Sequence, residues 1–227
     1  MIKKIELVVF DMAGTTVDED NVVYKTVQKL INDEGYSVTL TEVLQYAAGK
    51  EKHQAIRDVL KECTTLISVD AIADKVFSNF KTALEMAYNS LEIKTFEGTE
   101  QLFKDLRSSN IKVVLNTGYD RKTANILLNK LGWIVGETID GLVTANDVVN
   151  GRPEGDMILL AMKNTGVLDA EKVMKVGDSA IDIEEGKNAN CGITVGVLSG
   201  AQTREQIQKA NPSLIMDNIM ELRAVLL

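Results

Sequence analysis

Apolar residues fall along this chain in two rhythms. Short runs rich in β-branched residues recur at Ile5–Phe10, Ile111–Leu115, Val173–Val176 and Ile193–Val197. Each is bounded by polar or turn-forming residues, and each predicts a buried strand. Between them lie helical spacings such as Ala124, Leu127, Leu128 and Leu131, which place four apolar side chains on one helix face. Strands alternating with helices of this length predict a doubly wound α/β core, a parallel sheet with helices on both faces.

The rhythm changes after the first strand. From Val17 to about Ile93 the chain reads as helices: Val23, Val27, Leu30 and Ile31 share one face, as do Ile72, Val76, Phe80, Ala83, Leu84 and Ala87. A connection of this length exceeds any single crossover helix. The expectation is a helical domain inserted over residues 17–92, with the α/β core made of residues 1–16 and 93–227. That leaves a core of about 150 residues, an ordinary domain size.

Composition and charge narrow the classes. With 45% hydrophobic and 26% charged residues the chain is no disordered segment. Two cysteines, Cys63 and Cys191, exclude a disulfide framework and a Cys-rich zinc module. One histidine, His53, excludes a multi-His metal centre and argues against a Ser-His-Asp triad. A net charge of −8 argues against nucleic acid or an anionic membrane as partner. No apolar stretch approaches the roughly 18 residues of a membrane span. Lys3 and Lys4 before an apolar run resemble the start of a signal peptide, but Glu6 and Asp11 cut that run short. A soluble cytoplasmic protein is the expectation, with a homodimer left open.

In an open α/β sheet, ligands bind at the carboxyl ends of the strands, so the polar residues there are the candidates. The first strand ends in Asp11 and the second in Asn116-Thr117-Gly118; a later loop carries Gly151-Arg152-Pro153, and the strand through Val176 runs into Gly177-Asp178, with Asp182 four residues on. Alone, each has an ordinary reading as a cap, a turn or a surface charge. Together, three carboxylates, a hydroxyl and a guanidinium suit a hard divalent cation beside a phosphate-like dianion.

These four segments, Asp11-Met12-Ala13-Gly14-Thr15, Asn116-Thr117-Gly118, Arg152 and Gly177-Asp178-Ser179-Ala180-Ile181-Asp182, resemble the motifs of the haloacid dehalogenase superfamily of phosphohydrolases. The resemblance implies the superfamily's core fold, with residues 17–92 as its cap domain. It implies Asp11 as a nucleophile forming an aspartyl-phosphate. It also implies Mg²⁺ held by Asp11, Asp178 and the carbonyl of Ala13 with Asp182 in support, and Thr117 and Arg152 on the phosphoryl group. Met12, Gly14, Thr15 and Gly118, with Gly49 in the cap, would be substrate contacts. An anionic nucleophile meeting an anionic phosphorus centre needs this neutralisation on physical grounds as well.

One departure is informative. Phosphatases of the superfamily usually carry a second Asp two residues after the nucleophile, as acid for the leaving alcohol; here that position is Ala13. A general acid is typically worth about 10²–10⁴-fold, so an ester hydrolase without one is expected to be slow. Asp11 to Asp18, Thr117-Gly118-Tyr119 and Gly151-Arg152-Pro153 resemble the phosphonatase branch, the phosphonoacetaldehyde hydrolases, which cleave a carbon–phosphorus bond through an imine on a cap lysine. Lys52, three residues after Gly49, stands at the matching position. An imine is an electron sink for the leaving carbon. Lys52 has two other readings, contact with an anionic substrate tail and a solvated charge. The branch also has a His three residues after the lysine, where this chain has Ala55.

The expected activity is Mg²⁺-dependent hydrolysis of a small phosphonate such as phosphonoacetaldehyde. The alternatives are a phosphomonoester phosphatase or phosphomutase, of the phosphoglycolate phosphatase or β-phosphoglucomutase kind, and a catalytically weak phosphate-binding regulator. Cys63 and Cys191 are expected in the core. Trp133 is expected to pack behind its helix, His53 to lie at the surface, and Glu184 and Glu185 to lie on a solvated helix face.

Overall fold

The protein is seen in a computed structural model that describes residues 4–48 and 50–227. The chain forms two compact units, one of Met1–Asp18 with Ile93–Leu227, the other of Glu19–Glu92.

The first unit is an α/β sandwich. Its six strands, β1 (Leu7–Asp11), β4 (Lys112–Thr117), β5 (Gly141–Thr144), β6 (Val173–Gly177), β7 (Ile193–Val197) and β8 (Leu214–Met216), lie in the order β5-β4-β1-β6-β7-β8. All five pairings are parallel. Every residue of β1, β6 and β7 is buried, as sheet strands covered on both faces must be. Helices α5 (Thr99–Ser108), α6 (Arg121–Leu131), α7 (Asp156–Thr165), α8 (Ala180–Asn188), α9 (Arg204–Lys209) and α10 (Arg223–Leu226) complete the unit. One core cluster joins Leu7, Val9 and Val114 of the sheet to Met157, Ile158 and Ala161 of α7. α6 shows how the local sequence sets its limits. The Asp120 carboxylate accepts from the Thr123 N–H at the start, and Gly132 takes the left-handed conformation at the end.

The second unit is four helices, α1 (Val22–Asp33), α2 (Leu40–Ala47), α3 (Lys52–Cys63) and α4 (Asp70–Ser90). α2 begins with a capping box, Thr39 and Glu42 satisfying each other's backbone N–H groups. Glu51 caps α3 by accepting from the N–H groups of His53 and Gln54, which fixes Lys52 as its first residue. None of the described helices is long and apolar enough to cross a membrane.

The chain leaves and re-enters the first unit side by side. β2 (Val17–Asp18) pairs antiparallel with β3 (Lys94–Thr95), which draws Val17 and Asp18 into the α/β unit. The division therefore falls at 18/19 rather than 16/17. In the six-stranded sheet, two strands, β5 and β8, have no counterpart in the periodicity. They are only four and three residues long, at the two edges of the sheet, and so carry no legible pattern. The cysteines are half-buried rather than core residues. Cys191 packs against the α7 cluster, and burial pushes its thiol up to about 12. Trp133 is buried against Phe103, its indole N–H donating to Glu100.

Candidate active site

Three neighbouring strands deliver the polar residues. β1 lies between β4 and β6, with Asp11 opposite Asn116 and Phe10 opposite Val176, so the carboxyl ends of β4, β1 and β6 lie side by side. Asp178 follows β6 directly, and Asp182 lies in the first turn of α8 with its carboxylate accepting from the Ser179 hydroxyl at 2.6 Å. Carboxylate oxygens of Asp11, Asp178 and Asp182, all buried, fall within 4.8 Å of one another.

The turn after β1 is shaped for close approach. The Met12 carbonyl accepts from the N–H groups of Thr15, Thr16 and Val17, and the Thr16 hydroxyl donates to the Asp11 carbonyl at 3.0 Å. Gly14 has a φ of +80°, and a Cβ there would stand 2.5 Å from Asp178 Oδ2. Asp178 is held from the other side by the Ala201 N–H at 2.6 Å, and a Cβ at Gly200 would collide with it too.

Arg152 spans the floor of the site. Its Nη1 is 2.7 Å from Asp11 Oδ1 and 3.1 Å from Asp182 Oδ1, its Nε is 2.9 Å from Glu185 Oε2, and its Nη2 donates to the backbone and side-chain oxygens of Asn116. Behind it, Lys175 Nζ lies 2.6 Å from Asn116 Oδ1, 3.0 Å from Asp182 Oδ1 and 3.1 Å from Glu185 Oε2. Asn116 closes the network by donating to Glu185 Oε1 at 2.7 Å. Lys175 and Glu185 are fully buried.

The electrostatics differ among the three aspartates. Burial raises Asp182, but Arg152 and Lys175 outweigh it and hold the carboxyl below its ordinary value. Burial raises Asp11, with Arg152 opposing and Asp182 adding to the rise. Asp178 is pushed well up by burial, then by Asp11 and Asp182, against the opposing backbone N–H of Ala201. Three carboxylates crowded into a dry site, two of them also touched by Arg152, form a donor set that fits a hard cation. The residues that would hold it are Asp11, Asp178 and Asp182.

The other candidates are placed as follows. Thr117 is buried at the end of β4, its hydroxyl accepting from the Tyr119 N–H, and Gly118 beside it is exposed. Thr15 is fully buried, with its hydroxyl unpartnered among the described residues. The Met12 side chain is in the core, which leaves only its backbone for the turn. Ala13 bridges to Val17. Gly49 lies outside the described residues. Lys52 belongs to the helical unit, where its Nζ donates to the Lys50 carbonyl at 2.8 Å and stands 5.4 Å from the centroid of the Tyr24 ring.

Glu185 corrects an expectation. Glu184 is exposed, but Glu185 is not solvated; it turns inward to neutralise Arg152 and Lys175. Two signals point to this network. Lys175 alternates with Val173 and Gly177 on one face of a wholly buried strand, so it needs a partner. Glu185 stands three residues after Asp182, on the same face of α8.

The model of the family described as haloacid dehalogenase-like hydrolase matches residues 8–196. The chain belongs to that family and is a hydrolase of the superfamily. Among curated proteins it is similar to the phosphonoacetaldehyde hydrolase of Bacillus mycoides (strain KBAB4), 30% identical over 97% of this chain and 87% of the relative. That of Bacillus cereus (strain B4264) is 28% identical over the same shares. Among solved structures, a phosphonoacetaldehyde hydrolase-like protein from Oleispira antarctica superposes with a TM-score of 0.83 at 24% identity, over 99% of this chain and 92% of that one. CbbY from Rhodobacter sphaeroides, solved in complex with phosphate, gives 0.76 at 17% identity over 96% of each chain.

Proposed function

We propose that the protein cleaves the carbon–phosphorus bond of a small aldehyde phosphonate, of which phosphonoacetaldehyde is the simplest fit. Asp11 is the nucleophile. Its carboxylate, oriented by Arg152 at 2.7 Å, attacks phosphorus to form an aspartyl-phosphate that water then hydrolyses. Mg²⁺ held by Asp11, Asp178 and Asp182, with the Ala13 carbonyl, would supply charge neutralisation between nucleophile and phosphoryl group. Arg152 and Thr117 bind the phosphoryl oxygens, assisted by the turn Met12 to Thr15 and by Gly118. In this reading the helical unit, Glu19–Glu92, is the cap and supplies Lys52 to the substrate. The Lys52 amine condenses with the aldehyde, and the resulting iminium accepts the electron pair as the carbon–phosphorus bond breaks.

The observation that carries this reading is Ala13. An ester leaves as an alkoxide and needs a proton, and position 13 has none to give. An enamine leaving group needs none. The similarity to phosphonoacetaldehyde hydrolases supports the same choice. One contact favours a second reading, a phosphate ester with an anionic tail. Lys52 Nζ is anchored on the Lys50 carbonyl, as a charged anion-binding ammonium would be.

The test is phosphate release from phosphonoacetaldehyde with Mg²⁺, for the wild type and for Lys52→Ala and Lys52→Arg. Imine chemistry requires both variants to be dead. An anion contact would leave Lys52→Arg active, and no release by the wild type would direct the search to phosphate esters.

A further inference from the structure

Imine formation needs more than an amine. The carbinolamine must expel its hydroxyl as water, and the proton for that step comes from a nearby acid. Position 55 is an alanine, and His53 is paired with Asp74 at 2.7 Å and set edge-on to Phe77.

The helical unit holds another acid. Glu19 is buried at its first position, only 4% exposed. Its Oε2 accepts from the Tyr88 hydroxyl of α4 at 3.2 Å and from the Val23 N–H of α1 at 3.3 Å. Burial pushes Glu19 up to about 7, opposed by the N–H groups of Val23 and Val22, by the Tyr88 hydroxyl and by the positive charge of Lys52. Lys52 at the start of α3 stands over the ring of Tyr24, in the first turn of α1, next to the Val23 whose N–H binds Glu19. A carboxylate that only capped α1 would do so best ionised and in water. Glu19 sits dry against the Tyr88 hydroxyl, and its burial keeps a proton on the carboxylic acid near neutral pH.

We infer that Glu19 is the proton donor for imine formation on Lys52, with Tyr88 holding its carboxyl in place. The inference rests on the carbon–phosphorus reading above and deepens it. The neutral Lys52 amine adds to the aldehyde carbon, and one N–H proton passes to the aldehyde oxygen. The Glu19 O–H then protonates that hydroxyl, the C–O bond breaks, water leaves, and the nitrogen lone pair forms C=N. The step converts acid and carbinolamine into water, carboxylate and iminium, so charge is conserved and the new cation is formed beside the new anion.

The experiment is borohydride trapping of the full chain with phosphonoacetaldehyde, read by intact mass and peptide mapping across pH 5.5–8.5, with no phosphate assay involved. An adduct on Lys52 of the wild type supports the underlying reading, and its absence removes that reading and the inference together. Given that adduct, Glu19→Gln is expected to trap about 10²-fold more slowly at neutral pH and to lose the wild-type limb near pH 7. Unchanged trapping and pH profile would overturn the role of Glu19 alone. Tyr88→Phe supplies a second test if Glu19→Gln does not fold. It removes a donor that stabilises the carboxylate, so the limb should move to higher pH, and a limb that stays in place counts against the proposal.

Discussion

The α/β unit and the helical unit handle buried charge in opposite ways. At the strand ends, each charge of the Arg152–Lys175 network has several partners drawn from β1, β4, β6, α8 and the loop before α7, and Asp182 is held ionised. In the helical unit, Glu19 has a tyrosine, two backbone N–H groups and one lysine, and its proton is retained to about pH 7. The first arrangement suits a fixed electrostatic frame for phosphoryl transfer. The second suits a group whose proton must move. In the proposed reaction, phosphoryl transfer thus rests on the sheet and imine formation on helix ends.

The comparison can be broken most directly at Asp11. Asp11→Asn is expected to reduce turnover by at least about 10⁴-fold in a chain that still folds, since the nucleophile is lost while Asp182 and Glu185 continue to pair with Arg152. Turnover within tenfold of the wild type would exclude the aspartyl-phosphate. Next comes Lys52→Ala, expected to lower phosphonoacetaldehyde hydrolysis by about 10³-fold without altering the melt, so that the two units contribute separable parts of one reaction.

The frame itself is tested by Lys175→Met, which leaves Asp182 and Glu185 short of a buried cation. A loss of about 3–5 kcal/mol in urea unfolding is expected. A loss under 1 kcal/mol would mean that water already reaches the network. The smallest effect sharpens the contrast from the helical side. Because Glu19 is raised from 4.5 to about 7, its contribution is complete below pH 4.5 and is lost as pH climbs through 7. Wild-type stability relative to Glu19→Gln should therefore fall across pH 4.5–7, by at most about 3 kcal/mol. A flat difference would place Glu19 in water.

Much of this was legible in the sequence where a residue's position alone determines its setting. Val173–Gly177 and Ile193–Val197 are strands because short, mainly apolar and β-branched runs of that length have few other solutions, and Asp11 and Asp178 stand at strand ends because such runs stop at them. The edge strands β5 and β8 were not legible, being too short to show a period. Lys175 and Glu185 were missed for another reason. A charge in an apolar run and a Glu pair on a helix both look solvated until the fold sets strand β6 and helix α8 against each other. Glu19 was hidden in the same way, since only its setting against Tyr88 and Val23, with Lys52 nearby, distinguishes it from neighbouring acids.

The Lys175–Glu185–Asp182–Asn116 knot also constrains how such a chain can diverge. Each member answers for the desolvation of at least one other, so a change at any one position strands a charge or a donor. Viable mutational paths must therefore pass through paired replacements. Lys175→Met should be tolerated far better together with Glu185→Leu than alone, a strong positive epistasis readable in a double-mutant cycle. Drift at this knot is expected in linked steps, while the solvent-facing residues around it change one at a time.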